Sequence, residues 1–590
     1  MIHTGNLPAT ELETRYFTRR MFLRQYFPAL TAALALALAD MADAIVVGRS
    51  MGVVGLAALA FSLPIFMVYN IIMHSLGMGG AIHYAGTMAR GNEKQARADF
   101  QGVFGTLVIL GLVIAVGGNL FLRPVLIFLG ADPSNSVRFD TTGVYVRLLL
   151  TAAPCFFLAY GLGYFLRNDD LEREASFSAT AGNVLDLILN VVLVLVLDMG
   201  AKGAGLATLV GISLTMVLEL FFLLRRGVHL KLFPFLPDWS NVLRAFRGGF
   251  SSSVSYVYTM VFLLIANNAL IRMAGEEGVA VFDVIQNLSY LFGYLFGAVT
   301  QAAQPVLSTY YGEHNYGGCR NLERFGTWTA LLTGAAAACL VAVFAGPVCA
   351  VFGLPPDEGG EMGIWAVRLY CAGVLFMGLN LLISGFHLAK EETHPAFVMS
   401  TLRGAAVLLP VTLVCIRLGV ESFWFLFPVT ELLSLLIFLL YRRFLYRDHR
   451  DVEEERILRA VIHNDTGEIG PVVGEIEAFC EKWEASMKQQ YFVQMTVEEL
   501  CGAIITNGFK GREGERGIIQ VTLIAGQEGI FTLHVRDSAV SFNPFGMEKA
   551  TIKGEEAVDF NAMGMQVIKK KAISFFYRRY QGFNTMVVKI

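Results

Sequence analysis

Three polar side chains follow one stripe of an otherwise apolar segment at residues 175–198. Asn183, Asp186 and Asn190 are spaced so that a helix places all three on one face. A carboxylate flanked by two amides can coordinate Na⁺ through oxygen atoms, and a carboxyl group removed from water takes up a proton more readily. The pattern therefore indicates an ion or proton site. Polar contacts that join one membrane helix to another are the alternative.

Carboxylates also interrupt two other apolar segments. Asp40 and Asp43 lie in the first of these segments, and Asp283 lies early in the eighth, beside Gln286 and Asn287. An ionisable side chain surrounded by lipid is costly and usually functional. We expect Asp40 and Asp43 to act at the ion site, with Asp283 as their partner in the second half of the chain. A solvated carboxylate at the outer surface is the alternative for Asp43.

Three more charged residues fall within apolar segments. Glu219 and Glu431 stand at similar places late in the first and second halves, and we expect them to be counterions for arginines in the loops. Arg403 lies near the start of the eleventh segment. There we expect its long side chain to anchor at the lipid headgroups.

The segments that carry these residues are long enough to cross a bilayer. The chain has 590 residues, only 16% of them charged, and a mean hydropathy of +0.55, whereas roughly 25% of residues are charged in soluble domains. Its net charge of −3 gives no reason to expect nucleic-acid binding. Twelve segments qualify as membrane spans: 27–48, 56–87, 100–122, 142–166, 175–198, 203–224, 250–273, 279–308, 325–352, 364–388, 397–418 and 421–444.

Basic residues concentrate in alternate loops, which predicts the orientation of the chain. Lysines and arginines occur in the loops at 90–97, 167–173, 225–247, 320–324 and 442–450, whereas the loops between them are poorer in these residues. We therefore expect the basic loops and both termini to lie in the cytoplasm, with the chain crossing a bacterial cytoplasmic membrane several times.

The spans divide into two similar groups of six. After the second span and after the eighth, a polar turn with glycine leads into a basic amphipathic stretch. Two related bundles with a substrate site between them are typical of transporters. We predict an α-helical polytopic membrane protein with a first lobe at 1–224, a linker at 225–249, a second lobe at 250–450 and an α+β domain at 451–590.

Several motifs in the apolar part resemble the multidrug and toxic compound extrusion (MATE) family. They are ADMADAIVVGRSMG at 39–52, GNEKQAR at 91–97, AGNVLDLILNVVLVLVLDMGAKGAGLATLVG at 181–211, QAAQPVLSTYYGEHNY at 301–316 and TLRGAAVLLPVTL at 401–413. The resemblance implies export of drugs or organic cations in exchange for H⁺ or Na⁺, through rocking of two six-helix lobes.

The same resemblance assigns site residues. Asp43 matches the family's aspartate in the first span, and Asp40 is additional. In the fifth span the family commonly has Asn followed four positions later by Asp, whereas this chain has Asp186 and then Asn190. Both groups stay on one face, but the reversed order can change the ion or the stoichiometry. The expected ion site is Asp43 with Asp186 and Asn190, followed by Asp40.

The last part of the chain, residues 451–590, has dense charge and no segment long enough to span a membrane. A short lead-in at 453–463 precedes two amphipathic helices, a β-hairpin, another helix and a second hairpin. This α+β order resembles the GHKL-type ATP-binding fold, particularly the small anti-sigma-factor kinases. The matching motifs are VEEL at 497–500, VRDSAVSFNP at 535–544, MGMQVIKK at 563–570 and GFNTMVVKI at 582–590.

That resemblance implies a site for ATP and Mg²⁺. Glu499 would be its catalytic acidic residue, Asp537 would read the adenine amine and Gly564 would lie beside the phosphates. The family's amide on the helix of Glu499 is replaced by alanine, although Asn507, one turn later, could partly substitute. The glycine after the adenine-reading aspartate is Ala539. The tail is thus an active kinase, a nucleotide-binding module without turnover, or a nucleotide-free regulatory domain that binds a protein.

Three functions fit these patterns. The first is a cation-coupled exporter of drugs or organic cations whose tail regulates it, with a cytoplasmic regulatory protein as a further partner. The second is a membrane-embedded signalling protein with a kinase-like tail. The third is a flippase for lipid-linked sugars, although the basic residues lie mostly in loops.

Overall fold

The membrane part of the protein consists of helices throughout. The computed structural model describes residues 9–89, 93–131, 133, 136–168, 171–224, 239–312, 314–354, 358–390, 392–446, 454–510, 517–526, 529–546, 560–580 and 583–590. The helices of the first half are α1 (Ala9–Ile72), α2 (Gly79–Ala89), α3 (Glu93–Leu120), α4 (Leu122–Leu129), α5 (Ser136–Thr151), α6 (Ala153–Asn168), α7 (Glu172–Asn190) and α8 (Gly200–Leu223). Those of the second half are α9 (Trp239–Gly312), α10 (Tyr316–Val343), α11 (Ala345–Val351), α12 (Glu358–Ala389), α13 (Thr393–Thr401), α14 (Leu408–Leu418), α15 (Val420–Phe423) and α16 (Leu426–Phe444).

Helices are expected here because lipid offers no hydrogen-bond partners to the backbone, which must satisfy its own groups. Within the described residues, nine helices are long and apolar enough to cross a membrane, and α5 with α6 makes a tenth span, bent by 44°. α1 and α9 each cover two of the predicted spans and are kinked at Gly52 and Gly275. The predicted twelve spans are therefore reached only if both kinked helices cross twice.

The kinks need glycine. Gly52 has φ 59° and Gly275 has φ 63°, in the left-handed region that a side chain disfavours. They occupy similar places in the two halves, and each half continues with a long helix and a short one, α3 with α4 and α10 with α11. The halves differ at the next span. The first half breaks there at Ala152, where Pro154 lacks the N–H that a continuous helix would use, whereas α12 is unbroken.

The predicted linker at 225–249 is described only in its last part. Residues 225–238 lie outside the described residues, and from Trp239 the chain is already helical and continuous with α9. The basic residues of this stretch had indicated a loop. Their spacing also suits the exposed face of a helix that begins before the membrane.

The C-terminal part forms a separate α+β unit with its own core. Its sheet is antiparallel throughout, in the order β1-β2-β3-β5-β4, so both predicted hairpins are present; the ATP-binding type of fold stays a prediction. The strands are β1 (Ile457–His463), β2 (Ile518–Ala525), β3 (Phe531–Asp537), β4 (Ser574–Tyr580) and β5 (Phe583–Lys589), and the helices are α17 (Ile469–Lys482), α18 (Met487–Ala503) and α19 (Phe560–Lys571).

Two boundaries of this domain differ from the prediction. The expected lead-in at 453–463 contains an edge strand, β1, which pairs with β2 far along the chain. α18 begins earlier than the predicted residue 494 because Ser486 and Gln489 form a capping box, in which each side chain bonds the other's backbone N–H. The Ser-x-x-Gln spacing is the sequence signal for the start of α18.

Candidate functional site

A cavity of about 470 Å³ lies between the two halves of the membrane part. Three carboxylates reach it from different helices: Asp43 from α1, Asp186 from α7 and Asp283 from α9. None of its described lining residues is lysine, arginine or histidine. Six aromatic side chains complete the wall: Phe66, Tyr145, Tyr160, Tyr256, Tyr290 and Tyr294.

One amide joins two of these carboxylates. The Nδ2 atom of Asn190 donates to Oδ1 of Asp43 over 2.7 Å and to Oδ1 of Asp186 over 3.2 Å. Asp186 and Asn190 meet because they are four residues apart on α7, and α1 supplies Asp43 by packing against that helix. Asn190 is fully buried, and its Oδ1 has no hydrogen-bond partner among the described residues. The group can therefore hold a proton or a small cation through several oxygens.

The structure also shows where the other predicted residues of the ion site lie. Asn183 lines the same cavity, one turn before Asp186. Asp283 is only 2% exposed, and its Oδ2 accepts a hydrogen bond of 3.1 Å from Nδ2 of Asn287. Asp40 belongs to α1, but its side chain lies outside the described part of the structure. The sequence thus identified the acidic residues, while only the packing of α1, α7 and α9 shows that they share one cavity.

Tyr145 is a site residue that the sequence did not reveal. Its side chain is buried, interacts electrostatically with Asp43, Asp186 and Asp283, and is hydrogen-bonded to Ser62. Tyr145 lines the same cavity as the three carboxylates. No sequence signal distinguishes this tyrosine from the many aromatic residues of the other spans.

The two halves also touch on both sides of the cavity. On the side that carries the basic loops, which we call the inner side, a Cβ atom on Gly79 would overlap the backbone at Gly249. Near them, Nε2 of His74 lies 3.3 Å from the hydroxyl of Tyr256 in the second half. On the outer side the backbone of Gly48 meets that of Gly353 with no room for a Cβ atom. The cavity is bounded by contacts between the halves at either end.

The second half contains a charged cluster that corrects one prediction. The Nε and Nη2 atoms of Arg403 donate to both carboxylate oxygens of Glu431 over 2.5–3.1 Å. Asn380 donates a further bond of 2.7 Å to Glu431. The partner of Glu431 is therefore an arginine within the spans and not one in a loop. Glu219, the expected equivalent, is 2% exposed and lies against Gly163.

In the tail, the adenine-reading candidate accepts hydrogen bonds from within its own domain. Oδ1 of Asp537 accepts from the backbone N–H of Ala539 over 2.9 Å and from Nδ2 of Asn584 over 2.8 Å. Asp537 and Asn584 are both fully buried. Asn584 lies on β5, opposite Asp537 on β3, so the sheet register creates this pair.

The other tail candidates lie where α18 meets α19 and at the end of α18. The Glu499 carboxylate lies directly against Gly564, where it would overlap any added Cβ atom. Burial and the neighbouring Glu498 raise the pKa of Glu499. Asn507 turns back to its own helix and donates to the Ala503 carbonyl oxygen over 3.3 Å. Within the described residues, no cluster of three His, Cys, Asp or Glu side chains could hold a metal ion.

The sequence model of the MatE family matches this chain twice, at residues 28–192 and 250–414. Together the two matches cover more than half of the chain, one in each predicted lobe. The chain belongs to the MatE family. As a MatE protein it carries its family's repeat in both halves, and the family match ends before the tail begins.

Curated relatives of this MatE protein include transporters from several bacteria. The probable multidrug resistance protein YoeA of Bacillus subtilis is 22% identical over 413 residues, or 68% of this chain and 88% of the relative. The FAD transporter of Shewanella oneidensis is 20% identical over 70% of this chain and 92% of its own. The multidrug export protein MepA of Staphylococcus aureus is 20% identical over 68% of this chain and 88% of its own.

Solved structures share the fold of the membrane part. A multidrug resistance MATE family transporter of the MOP superfamily in an inward-facing conformation aligns with TM-score 0.61 and 20% identity, covering 69% of this chain and 93% of that one. An outward-facing transporter of the same description aligns with TM-score 0.55 and 20% identity, covering 72% of this chain and 95% of that one. The membrane part thus has the MATE fold.

Proposed function

We propose that this protein exports organic cations, including drugs, in exchange for H⁺ or Na⁺. The observation that carries the proposal is the Asn190 amide between the carboxylates of Asp43 and Asp186, at the wall of a cavity that also contains Asp283. Two carboxylates held by one amide form a site whose charge changes when a proton or Na⁺ binds. A coupling site needs such a change.

The coupling follows from electrostatics in a cavity with little water. When Asp43 and Asp186 are ionised, their charge attracts a cationic substrate; when a proton or Na⁺ neutralises them, that attraction weakens. Loading the ion from outside therefore favours release of substrate, and loss of the ion to the cytoplasm restores substrate affinity. The ion and the substrate exchange because they compete for the same carboxylates.

The chemistry of the cavity wall supports a cationic, aromatic or apolar substrate. Carboxylates attract positive charge, and aromatic faces bind cations and flat apolar groups. The names of the relatives YoeA and MepA fit this class. The relative named for FAD carries an anionic substrate, which three carboxylates would repel, and a lipid-linked sugar phosphate would meet the same repulsion. We therefore prefer organic cations to both.

We further propose alternating access between the two lobes, with the basic loops and both termini in the cytoplasm of a bacterium. Contacts between the halves on the inner side, at Gly79 and Gly249, and on the outer side, at Gly48 and Gly353, would separate in turn. Relatives with this fold adopt inward-facing and outward-facing conformations, and a rigid-body movement of the lobes relates two such states.

A test of the substrate class uses Asp283, which lies apart from the Asn190 group. In proteoliposomes, Asp283→Asn should raise the KM for efflux of ethidium about tenfold, which corresponds to about 1.4 kcal/mol of lost binding energy. The physical reason is the removal of one negative charge from the wall of the cavity. Transport rates at varied ethidium concentrations measure the change.

The neighbouring Gln286 offers the matched control, since it lines the same cavity on the same helix. Gln286→Glu adds a carboxylate and should lower the KM. If both substitutions shift the KM in the same direction, charge does not determine recognition and the organic-cation proposal is wrong.

For the tail we propose a regulatory role without nucleotide. The Glu499 carboxylate lies against Gly564, and its ionised form would repel phosphate groups placed beside that glycine. Calorimetric titration of the detergent-solubilised full chain with ATP and Mg²⁺ should therefore give no saturable heat. Saturable binding that Asp537→Asn removes would instead support a nucleotide sensor, and phosphorylation of a cytoplasmic protein would support the signalling alternative.

A further inference from the structure

The sheet of the tail domain is buried on both faces at its second strand, β2. On one side α17, α18 and α19 cover the core, which includes Ile519, Val521 and Leu523 of β2. The alternate residues of β2 point to the other side, where antiparallel sheets commonly face water. Gln520 and Thr522 lie on that side, yet they are only 8% and 6% exposed.

The second face is covered by the membrane part of the same chain. Ile518, at the start of β2, belongs to the apolar core of the membrane helices, and Val461 of β1 packs against that core. The strand register places Val461, Gln520 and Arg536 side by side across β1, β2 and β3. These residues define a docking face on the sheet, opposite its helices.

Two arginines of the tail make specific contacts with the membrane part. Nη2 of Arg459 donates to the carbonyl oxygen of His314 over 3.1 Å. The guanidinium group of Arg536 lies 5.1 Å from the centre of the Tyr310 ring, within the range of a cation–π interaction. Tyr310 lies in the last turn of α9, and His314 lies between α9 and α10. Both contacts are therefore made at the inner end of the helices α9 and α10.

Tyr310, whose ring faces Arg536, also contacts the first half of the membrane part. The hydroxyl of Tyr310 is 2.7 Å from Oγ1 of Thr18 on α1, and both side chains are buried. One turn further along α1, the ring of Phe22 packs edge-on against Phe325 of α10 at 5.5 Å. β1 contacts α1 as well. The tail therefore sits on the junction where the inner ends of the first and second halves meet.

We propose that the docking face of the tail clamps this junction and holds the inner ends of the two lobes together. In this proposal the cavity opens to the cytoplasm by separation of α1 from the end of α9, so the clamp must release in each transport cycle or be released by a partner. The docked tail then slows transport. This proposal rests on the exporter function proposed above and adds its regulation.

The test uses the full chain in lipid nanodiscs and proteoliposomes, with spin labels at Met487 in the tail and Arg320 on α10, two exposed positions. Arg536→Gln removes the cation from the tail, and Tyr310→Leu removes the aromatic ring from the membrane part. If Arg536→Gln prevents the tail from folding, Tyr310→Leu still tests the docking contact. Each should broaden the distance distribution between the labels and raise the ethidium efflux rate about fivefold, the lower end of common coupling effects.

Two controls separate the clamp from general damage. Arg456 stacks over Trp483 at 4.4 Å within the tail itself, so Arg456→Gln should change neither the distance nor the rate. Tyr310→Phe keeps the ring for Arg536 but loses the bond to Thr18, so the tail should stay docked.

The outcomes distinguish the two proposals. Unchanged distances in both Arg536→Gln and Tyr310→Leu would overturn the docking face. If the tail is released but the efflux rate is unchanged, the clamp is overturned and the exporter function still stands. Failure of every chain, including the natural one, to move ethidium would overturn the exporter function, whereas the distance measurement would still report on docking.

Discussion

Asp186→Asn abolishes uphill efflux of an organic cation from proteoliposomes while leaving the protein folded and inserted. The substitution keeps the shape of the side chain but removes the group that gains and loses charge beside Asn190. Without that change, the ion gradient no longer alters the affinity for substrate, so the expected loss is at least a hundredfold in gradient-driven rate. Ethidium fluorescence under an imposed pH gradient, and separately under an imposed sodium gradient, measures it and identifies the ion.

Asp140→Asn is the matched control, because Asp140 is exposed on α5 and does not line the cavity. The same chemical change there should leave efflux intact. Asp43→Asn should resemble Asp186→Asn, since both carboxylates bond the one amide nitrogen. Unchanged uphill transport in Asp186→Asn would remove this carboxylate from the coupling mechanism.

Glu431→Gln destabilises the membrane part by about 3 kcal/mol, a typical cost of leaving one member of a buried ion pair without its partner. The Arg403 and Glu431 side chains are 23% and 15% exposed, and Glu431 is the only acidic residue that an ion pair joins to Arg403 among the described residues. The loss of the carboxylate leaves the guanidinium charged among helices. Thermal unfolding of the detergent-solubilised protein, followed by size-exclusion chromatography, measures the change.

Two further variants check the cause. Arg403→Met combined with Glu431→Leu removes both charges, and it should recover most of the lost stability because no unpaired charge remains. Glu455→Gln removes the partner of Lys482 in an exposed pair of the tail and should have no measurable effect. A double variant less stable than Glu431→Gln alone would show that packing around these side chains, and not the charge, determines the cost.

The difference between what sequence and structure contribute is clear at this ion pair. Arg403 and Glu431 lie in different spans. In the sequence each is an isolated charge, which suggests a separate role for each near a membrane surface. The predicted loop partner of Glu431 was wrong for that reason. A pair between residues in different spans leaves no spacing signal, because the loop between two helices does not determine which side chains face each other.

The tail shows the same limit. Its two hairpins could be predicted because each pairs neighbouring segments through a short turn, and both are present in the sheet. β1 was missed because its partner β2 lies about sixty residues further along, so its alternating pattern alone could not distinguish an edge strand from a lead-in. The contact between Glu499 and Gly564 joins α18 to α19 and likewise required the fold.

The sequence by itself determined the membrane spans, the repeat and the polar stripe of Asp186 and Asn190, because hydropathy, loop charge and helical spacing are local properties. It also identified Asp43 and Asp283 as unusual, since a carboxylate in an apolar segment is costly wherever its helix packs. Only the tertiary structure decided that these residues share one cavity with Tyr145, and that the tail covers the inner junction at Tyr310. Both depend on which helix faces meet, and packing across the whole chain sets those contacts.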